Sequence, residues 1–300
     1  MPETGLPRLG RYRLPTFEEL ARIGRVLVEE GIQKIRLTGG EPLLRNSLHG
    51  LIRDLSHIDN LQELCLTTNG HLLAERVQAL ADAGLHRVNV SVDSLDPQKF
   101  ERITRGGDLR RVLYGVEKAA QVLPGVVRIN VVVFRHFNDD ELLDFARMTL
   151  DREYHVRFIE PMPISVGTLW REEDMIRADE MKQRVSDTFG LEKVKSIPLY
   201  SGPSSLYRIP GATGRVGFIG PMTDAFCAQC NRIRLTPDGK LRGCLLEDGE
   251  VDFLGPMRRG ATDDDLRELI QQVVRNKPER HTIHDFHFTR PLRAMSQTGG

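Results

Sequence analysis

Residues 32–92 read IQKIRLTGGEPLLRNSLHGLIRDLSHIDNLQELCLTTNGHLLAERVQALADAGLHRVNVSV, and this stretch decides the fold. Three short runs suited to strands, 32–37, 61–67 and 87–92, alternate with helical stretches at 46–57 and 71–83. The rhythm extends both ways. Upstream, Thr16 with Glu19 three residues on forms a capping box, and a helix over 17–30 ends at Gly31. Downstream come helix 109–122, strand 127–133, helix 139–150 and strand 155–160. Strand and helix in steady alternation mean βαβ units around a parallel sheet. The spacings suit a (β/α) barrel or partial barrel, with ligand groups at the C-terminal ends of the strands. An open doubly wound sheet is the alternative.

The strands carry a second signal, because side chains alternate faces with period two. Lys34 and Arg36 share one face of the first strand. Cys65, Thr67 and Asn69 share one face of the next, and Asn89, Ser91 and Asp93 one face of the third. Arg128 and Asn130 lie opposite Ile129 and Val131, and Arg157 lies opposite Val156 and Phe158. Parallel sheets are normally covered on both faces. Five strands with a polar face therefore imply a shared interior, made cationic by Lys34, Arg36, Arg128 and Arg157. Such an interior either holds an anion such as a polyphosphate or closes on itself through ion pairs.

Residues 161–200 break the rhythm, with a Pro- and Gly-containing loop and one helix near 179–190. Residues 199–225, rich in Gly, Pro and Ser, read as a domain seam. A helix comes after them near 263–276. This divides the chain into an incomplete barrel, 1–198, and a C-terminal domain, 199–300.

Three of the four cysteines fall in FCAQCNRIRLTPDGKLRGCLL, residues 226–246. Cys227, Cys230 and Cys244 can converge on one metal site if Pro237-Asp238-Gly239 turns the segment back on itself. Three thiolates select a soft metal and leave one coordination position open. On spacing alone, an iron–sulfur cluster and zinc are equally compatible. Arg232 and Arg234 stand between the ligands. Cys65 reads as a core thiol, and His281, His284 and His287 do not have a pattern that defines a metal geometry.

Lys plus Arg and Asp plus Glu both total 42, so charge gives no reason to expect a nucleic-acid or membrane binder. Hydrophobic residues at 40% permit a large core. Four cysteines in 300 residues make no disulfide framework, and a reducing, cytoplasmic compartment fits. There is no P-loop and no dinucleotide glycine fingerprint.

Taken together, KIRLTGGEPLLR (34–45), LTTNG (66–70), RVNVSVDSLDP (87–97), ITRGG (103–107), RFIEPMP (157–163), the three-cysteine segment and the terminal Gly299-Gly300 resemble the GTP 3′,8-cyclases, a family of radical S-adenosylmethionine (SAM) enzymes in molybdenum cofactor biosynthesis. The resemblance runs over nearly the whole chain. It implies a radical SAM barrel plus a C-terminal iron–sulfur domain, and a [4Fe–4S] cluster on Cys227, Cys230 and Cys244 whose open iron receives the purine of GTP. Residue by residue, Gly40, Ser91 and Met162 match SAM contacts, with Gly39 and Glu41 beside the first. Arg36, Thr67, Arg232 and Arg234 match GTP contacts. Arg128 stands where the family usually has Lys. Lys34, Asn69, Arg157, Gly299 and Gly300 are further candidates. The implied reaction is conversion of GTP to (8S)-3′,8-cyclo-7,8-dihydroguanosine 5′-triphosphate by a radical generated from SAM. The implied partners are GTP and the next enzyme of the molybdopterin pathway, with a homodimer possible and neither nucleic acid nor membrane involved.

One departure stands out. Radical SAM enzymes hold a first [4Fe–4S] cluster by Cys-x-x-x-Cys-x-x-Cys, and no such run occurs in these 300 residues. MPETGLP at the start resembles the family's run just after the third of those cysteines. The expectation is therefore a barrel without its first strand, exposing a sheet edge that templates aggregation, and a chain inactive as written. A mis-called start and a non-catalytic paralogue that binds GTP, one cluster or both are the two accounts of it.

Overall fold

The computed structural model describes residues 9–164, 172–194, 203–224, 226–283 and 291–298. Gly299, Gly300, His284, His287 and the MPETGLP run lie outside them. In chain order the elements are α1 (Phe17–Glu29), β1 (Lys34–Leu37), α2 (Leu48–Ser56), β2 (Glu63–Thr68), α3 (Leu73–Asp82), β3 (Arg87–Ser91), α4 (Pro97–Thr104), α5 (Leu109–Val122), β4 (Arg128–Val132), α6 (Leu142–Arg147), β5 (His155–Ile159), α7 (Ala178–Phe189), β6 (Glu192–Lys193), β7 (Ser205–Arg208), β8 (Arg215–Ile219), β9 (Arg234–Leu235), β10 (Lys240–Arg242), β11 (Glu250–Asp252), α8 (Leu254–Arg258) and α9 (Asp263–Arg275).

The main sheet has the order β1-β2-β3-β4-β5-β8-β7-β6. Its first six strands are parallel, and β7 and β6 add on antiparallel. A doubly wound sheet reverses its strand order at a switch point. Here consecutive strands lie side by side, as in a barrel, and among the described residues no strand pairs β1 with β6. The structure thus decides for the partial barrel. Among the described residues β1 pairs only with β2.

Alternation separates two environments. Leu64, Leu66, Val88, Val90, Ile129, Val131, Val156, Phe158, Val216 and Phe218 all enter one apolar core with the inward faces of α2, α3, α5, α6 and α7. The helices therefore cover that side of the sheet, and Arg36, Asn89, Arg128 and Arg157 turn to the other. The capping box of α1 is present, with Thr16 Oγ1 accepting from Glu19 N at 3.2 Å and Glu19 Oε2 from Thr16 N at 2.7 Å.

Two segments depart from the sequence-based expectation. Helix α4 is not among the expected elements, although Asp96 caps it and Pro97 starts it. The stretch expected to be a seam, 199–225, contains β7 and β8, and β8 hydrogen-bonds directly to β5. Its glycines suggest a loop, but Gly217 sits within a strand where a Cβ would lie 2.1 Å from Ser204 Oγ. Conversely, Ile23 and Val26 of α1 share a second core with Leu241, Phe253, Leu254, Leu266, Ile270 and Val273. Residues on either side of a 198/199 division are thus interleaved. No helix among the described residues is long and apolar enough to cross a membrane.

Candidate functional site

The candidate residues on the barrel strands lie in one polar layer. Two carboxylates border it: Asp93 beyond the end of β3 accepts from Val132 N at 2.8 Å, and Glu63 is committed, pairing with Lys34 and with Arg87, the latter at 2.6 Å. Burial works against its charge, but Arg87 and Lys34 outweigh it and hold the carboxyl down at about 2. Lys34 is therefore spent on an ion pair within the fold. Arg87 reaches Asn89 Oδ1 at 2.9 Å and Cys65 Sγ at 3.2 Å, and Asn89 Nδ2 donates to Thr67 Oγ1 at 3.0 Å. Cys65, fully buried, thus faces this polar layer and not the apolar core.

Among the described residues no ion pair joins Arg36, Arg157 or Arg234. Arg36 Nε and Arg234 Nε are buried without a hydrogen-bond partner. Arg157 donates to Asn130 Oδ1 at 2.9 and 2.5 Å. Burial lowers the pKa of Arg36, and Arg87 and Arg232 push it the same way against Cys65. Burial and then Arg128, Arg36 and Arg87 lower that of Arg157 strongly. Arg128 is lowered to about 10, by burial first and Arg87 next. A layer in which guanidinium groups depress one another is an anion site in the making.

The cysteine segment closes onto the same layer. Arg234 is held at about 10, by burial and then by Arg232, and it also feels Cys230, Cys244 and Arg36. So Arg36 of β1 and the arginines of the hairpin are near enough to feel each other's charge. The hairpin forms as expected, with Gly239 at φ 77° and β9 antiparallel to β10. Arg232 lies over the Phe226 ring, 4.9 Å from its centroid. Burial opposes ionisation of the Cys230 thiol, but the Arg232 backbone N–H, the Arg232 charge and Lys277 outweigh it, so its pKa is lowered. Lys277 Nζ donates to the Cys230 and Arg232 carbonyls at 2.6 and 2.8 Å. Lys277 went unseen in the sequence because nothing local links it to a segment 47 residues away. Met162 and Cys244 pack on one small apolar cluster of Ile164, Leu246 and Ile283.

The Gly-Gly-Glu-Pro turn lies at the C-terminal end of β1. A Cβ at Gly39 or Gly40 would meet no atom within 4 Å, and Gly39 has φ +140°. That open ground suits a ligand lying against the backbone. Glu41 is fully engaged, accepting from Leu43 N at 3.0 Å, Thr68 Oγ1 at 2.7 Å and Asn69 N at 2.7 Å. It braces the turn against the end of β2. Asn69 Oδ1 accepts from His71 N at 2.9 Å, a local turn bond. Ser91 is exposed at the end of β3.

For a metal group the donor chemistry fits: the segment offers three thiol side chains, with Cys230 beside Lys277 and within the electrostatic reach of Arg232 and Arg234. Their geometry is not preset: among the described residues no three His, Cys, Asp or Glu side chains stand close enough to hold an ion.

A chain-order parallel barrel with polar groups at the strand ends is an architecture shared by many enzyme classes, and the comparisons single out the radical SAM class. The profile of the Radical SAM superfamily matches residues 2–149, and that of Molybdenum Cofactor Synthesis C matches 154–283. Streptococcus suis SuiB bound to S-adenosylmethionine shares the fold, with TM-score 0.55, 13% identity, and coverage of 79% of this chain and 56% of SuiB. Two curated relatives are much more similar. The GTP 3′,8-cyclase of Peptoclostridium acidaminophilum is 47% identical over 301 residues, covering all of this chain and 90% of that protein. That of Moorella thermoacetica is 44% identical over 304 residues, covering all of this chain and 92% of that protein. The chain belongs to the GTP 3′,8-cyclase family, radical SAM enzymes of molybdenum cofactor biosynthesis.

Proposed function

We propose that the barrel interior binds GTP for conversion to (8S)-3′,8-cyclo-7,8-dihydroguanosine 5′-triphosphate, with Cys227, Cys230 and Cys244 holding a [4Fe–4S] cluster. The observation that carries this reading is that Arg36 on β1 and Arg232 and Arg234 of the cysteine segment, all partly buried, depress one another electrostatically. A triphosphate would relieve the mutual repulsion of Arg36, Arg128, Arg157 and Arg234, through charge-assisted hydrogen bonds. Thr67 and Arg232 complete the nucleotide contacts in this reading. Gly40, Ser91 and Met162 take SAM at the strand ends. When bound, SAM and iron–sulfur clusters supply the radical chemistry, and the protein's own groups bind, orient and exclude water. Residues 1–198 contribute most of the nucleotide-binding interior, and 199–300 contribute the cluster.

Titration calorimetry tests the nucleotide site. Arg234→Ala should weaken GTP binding by about 1.5–3 kcal/mol, the worth of a hydrogen bond to a charged group. Unchanged affinity would count against it.

These 300 residues contain no Cys-x-x-x-Cys-x-x-Cys. Prepared by themselves, with cluster reconstituted and strong reductant, they are expected to bind GTP and release no 5′-deoxyadenosine from SAM. Chromatography detects that product, and its formation would show that this polypeptide cleaves SAM without the motif.

A further inference from the structure

Lys277 meets the cysteine segment at two places that lie well apart along the chain. Its stem stands against Gly243, the residue before Cys244. A Cβ on Gly243 would lie 3.3 Å from Lys277 Cβ, 3.4 Å from Lys277 Cα and 3.3 Å from the Val273 carbonyl oxygen. A methyl group there would be crowded, so the bare glycine lets the end of α9 come this close to the segment. The ammonium of Lys277 reaches the other arm. It donates to the Cys230 carbonyl at 2.6 Å and the Arg232 carbonyl at 2.8 Å, with Cys230 Sγ at 3.5 Å. Cys230 N in turn donates to Cys227 O at 3.0 Å, so whatever holds Cys230 bears on Cys227 as well.

The packing of α9 fixes where Lys277 starts from. Leu266, Ile270 and Val273 of α9 share the second core with Leu241 of β10. Lys277 follows Val273 by four residues, about one helical turn. Its own N–H donates to Val274 O at 3.2 Å, which carries the turn past the last helical residue, Arg275. Among the described residues no ion pair joins Lys277, and its charge is directed at two carbonyl oxygens and a sulfur. Groups that hydrogen-bond the ligands of a metal site orient them, and hydrogen bonds to sulfur together with nearby charge set the potential of an iron–sulfur group. A cation beside a ligand sulfur favours the reduced, more negative state and so raises that potential.

We propose that Lys277 is a positioning residue for the cysteine site. It pins the Cys230 and Cys244 arms to the end of α9 and aims its ammonium at the Cys230 sulfur, setting both where two ligands stand and the potential of the group they hold. The inference rests on the reading that Cys227, Cys230 and Cys244 hold a [4Fe–4S] cluster.

Anaerobic reconstitution of the 300-residue chain, followed by iron analysis and a redox titration read by electron paramagnetic resonance, tests it. Lys277→Met should titrate at a more negative midpoint potential than wild type, since the cation is gone. Lys277→Arg keeps the charge and should titrate close to wild type. Gly243→Ala leaves every charge in place and pushes the end of α9 off the segment. It should shift the potential the same way by a smaller amount, and it carries the test if Lys277→Met does not fold. Loss of iron from Lys277→Met with a wild-type urea transition, and its retention in Lys277→Arg, would support the same role. Lys277→Met with wild-type iron, potential and spectrum would overturn the inference. So would equal shifts in Lys277→Met and Lys277→Arg, the mark of packing without a charge effect, or a wild-type potential in Gly243→Ala. A wild type that loads no iron would instead overturn the cluster reading beneath it.

Discussion

Glu63 neutralises Lys34 and Arg87 in a layer rich in arginine, and it shapes how that layer responds to acid. Its carboxyl lies near 2 in the fold against an ordinary value of 4.5. The stability it contributes is therefore complete above about pH 4.5 and is lost as pH falls toward 2. His155 acts in the same direction by another route. It sits at about 3 against an ordinary 6.5, so the unfolded chain takes up a proton that the fold refuses, and stability falls from about pH 6.5 down to 3. Circular dichroism against pH should show acid unfolding that begins below pH 6.5, with the upper part of the loss reduced in His155→Leu. Glu63→Ala should cost about 3 kcal/mol or more at pH 7 by denaturant titration, because Arg87 stays buried without its counter-charge. A variant as stable as wild type would mean that another group neutralises Arg87. Lys34 and Arg36 share a face, yet only Lys34 meets Glu63, which explains why one serves the fold and the other remains available.

Among the elements, the turn from β2 into α3 holds the site in place with the least freedom. Glu41 clamps its start, Asn69 closes it, and Gly70 takes φ +79°. A Cβ at Gly70 would lie 2.8 Å from Val112 Cγ1 and from Val90 Cγ1, both in the apolar core. Gly70→Ala therefore meets left-handed backbone strain and overpacking together, and should destabilise by about 2–3 kcal/mol. A urea midpoint within error of wild type would show that α5 yields to admit the methyl group. The same substitution at Gly40, where no atom stands within 4 Å, should leave stability nearly unchanged, so the pair distinguishes a packing glycine from an open one.

Across the whole molecule, the C-terminal segment is tied to the barrel by packing and by charge. α1 packs with α9 in the second core, where Arg22 Nη2 reaches Asp263 Oδ1 at 2.8 Å. The arginines of β1 and β9 feel each other's charge across the polar layer. A cluster held by Cys227, Cys230 and Cys244 would thus sit over the nucleotide site as part of one body. Anaerobic reconstitution should load about one [4Fe–4S] per chain, as the three ligands allow. Replacing all three cysteines with Ala should abolish the iron signal. Iron retained in the triple variant, or stoichiometric zinc in its place, would overturn the assignment.

What the sequence determined by itself was the face on which each strand residue lies, since alternation along a strand is local geometry. From it came the polar interior, and Arg87 and Glu63 were within reach of the same rule, two positions before Asn89 and Cys65. The spacing of Cys227 and Cys230 and the turn at Gly239 were equally local. Only the tertiary structure decided between barrel and doubly wound sheet, because strand order depends on which distant segments pair. It also brought β7 and β8 into the sheet, set Glu63 against Lys34 and not Arg36, and placed Lys277 on the Cys230 carbonyl. Each of these is a choice of partner across space, made by register and packing, which no run of neighbouring residues encodes.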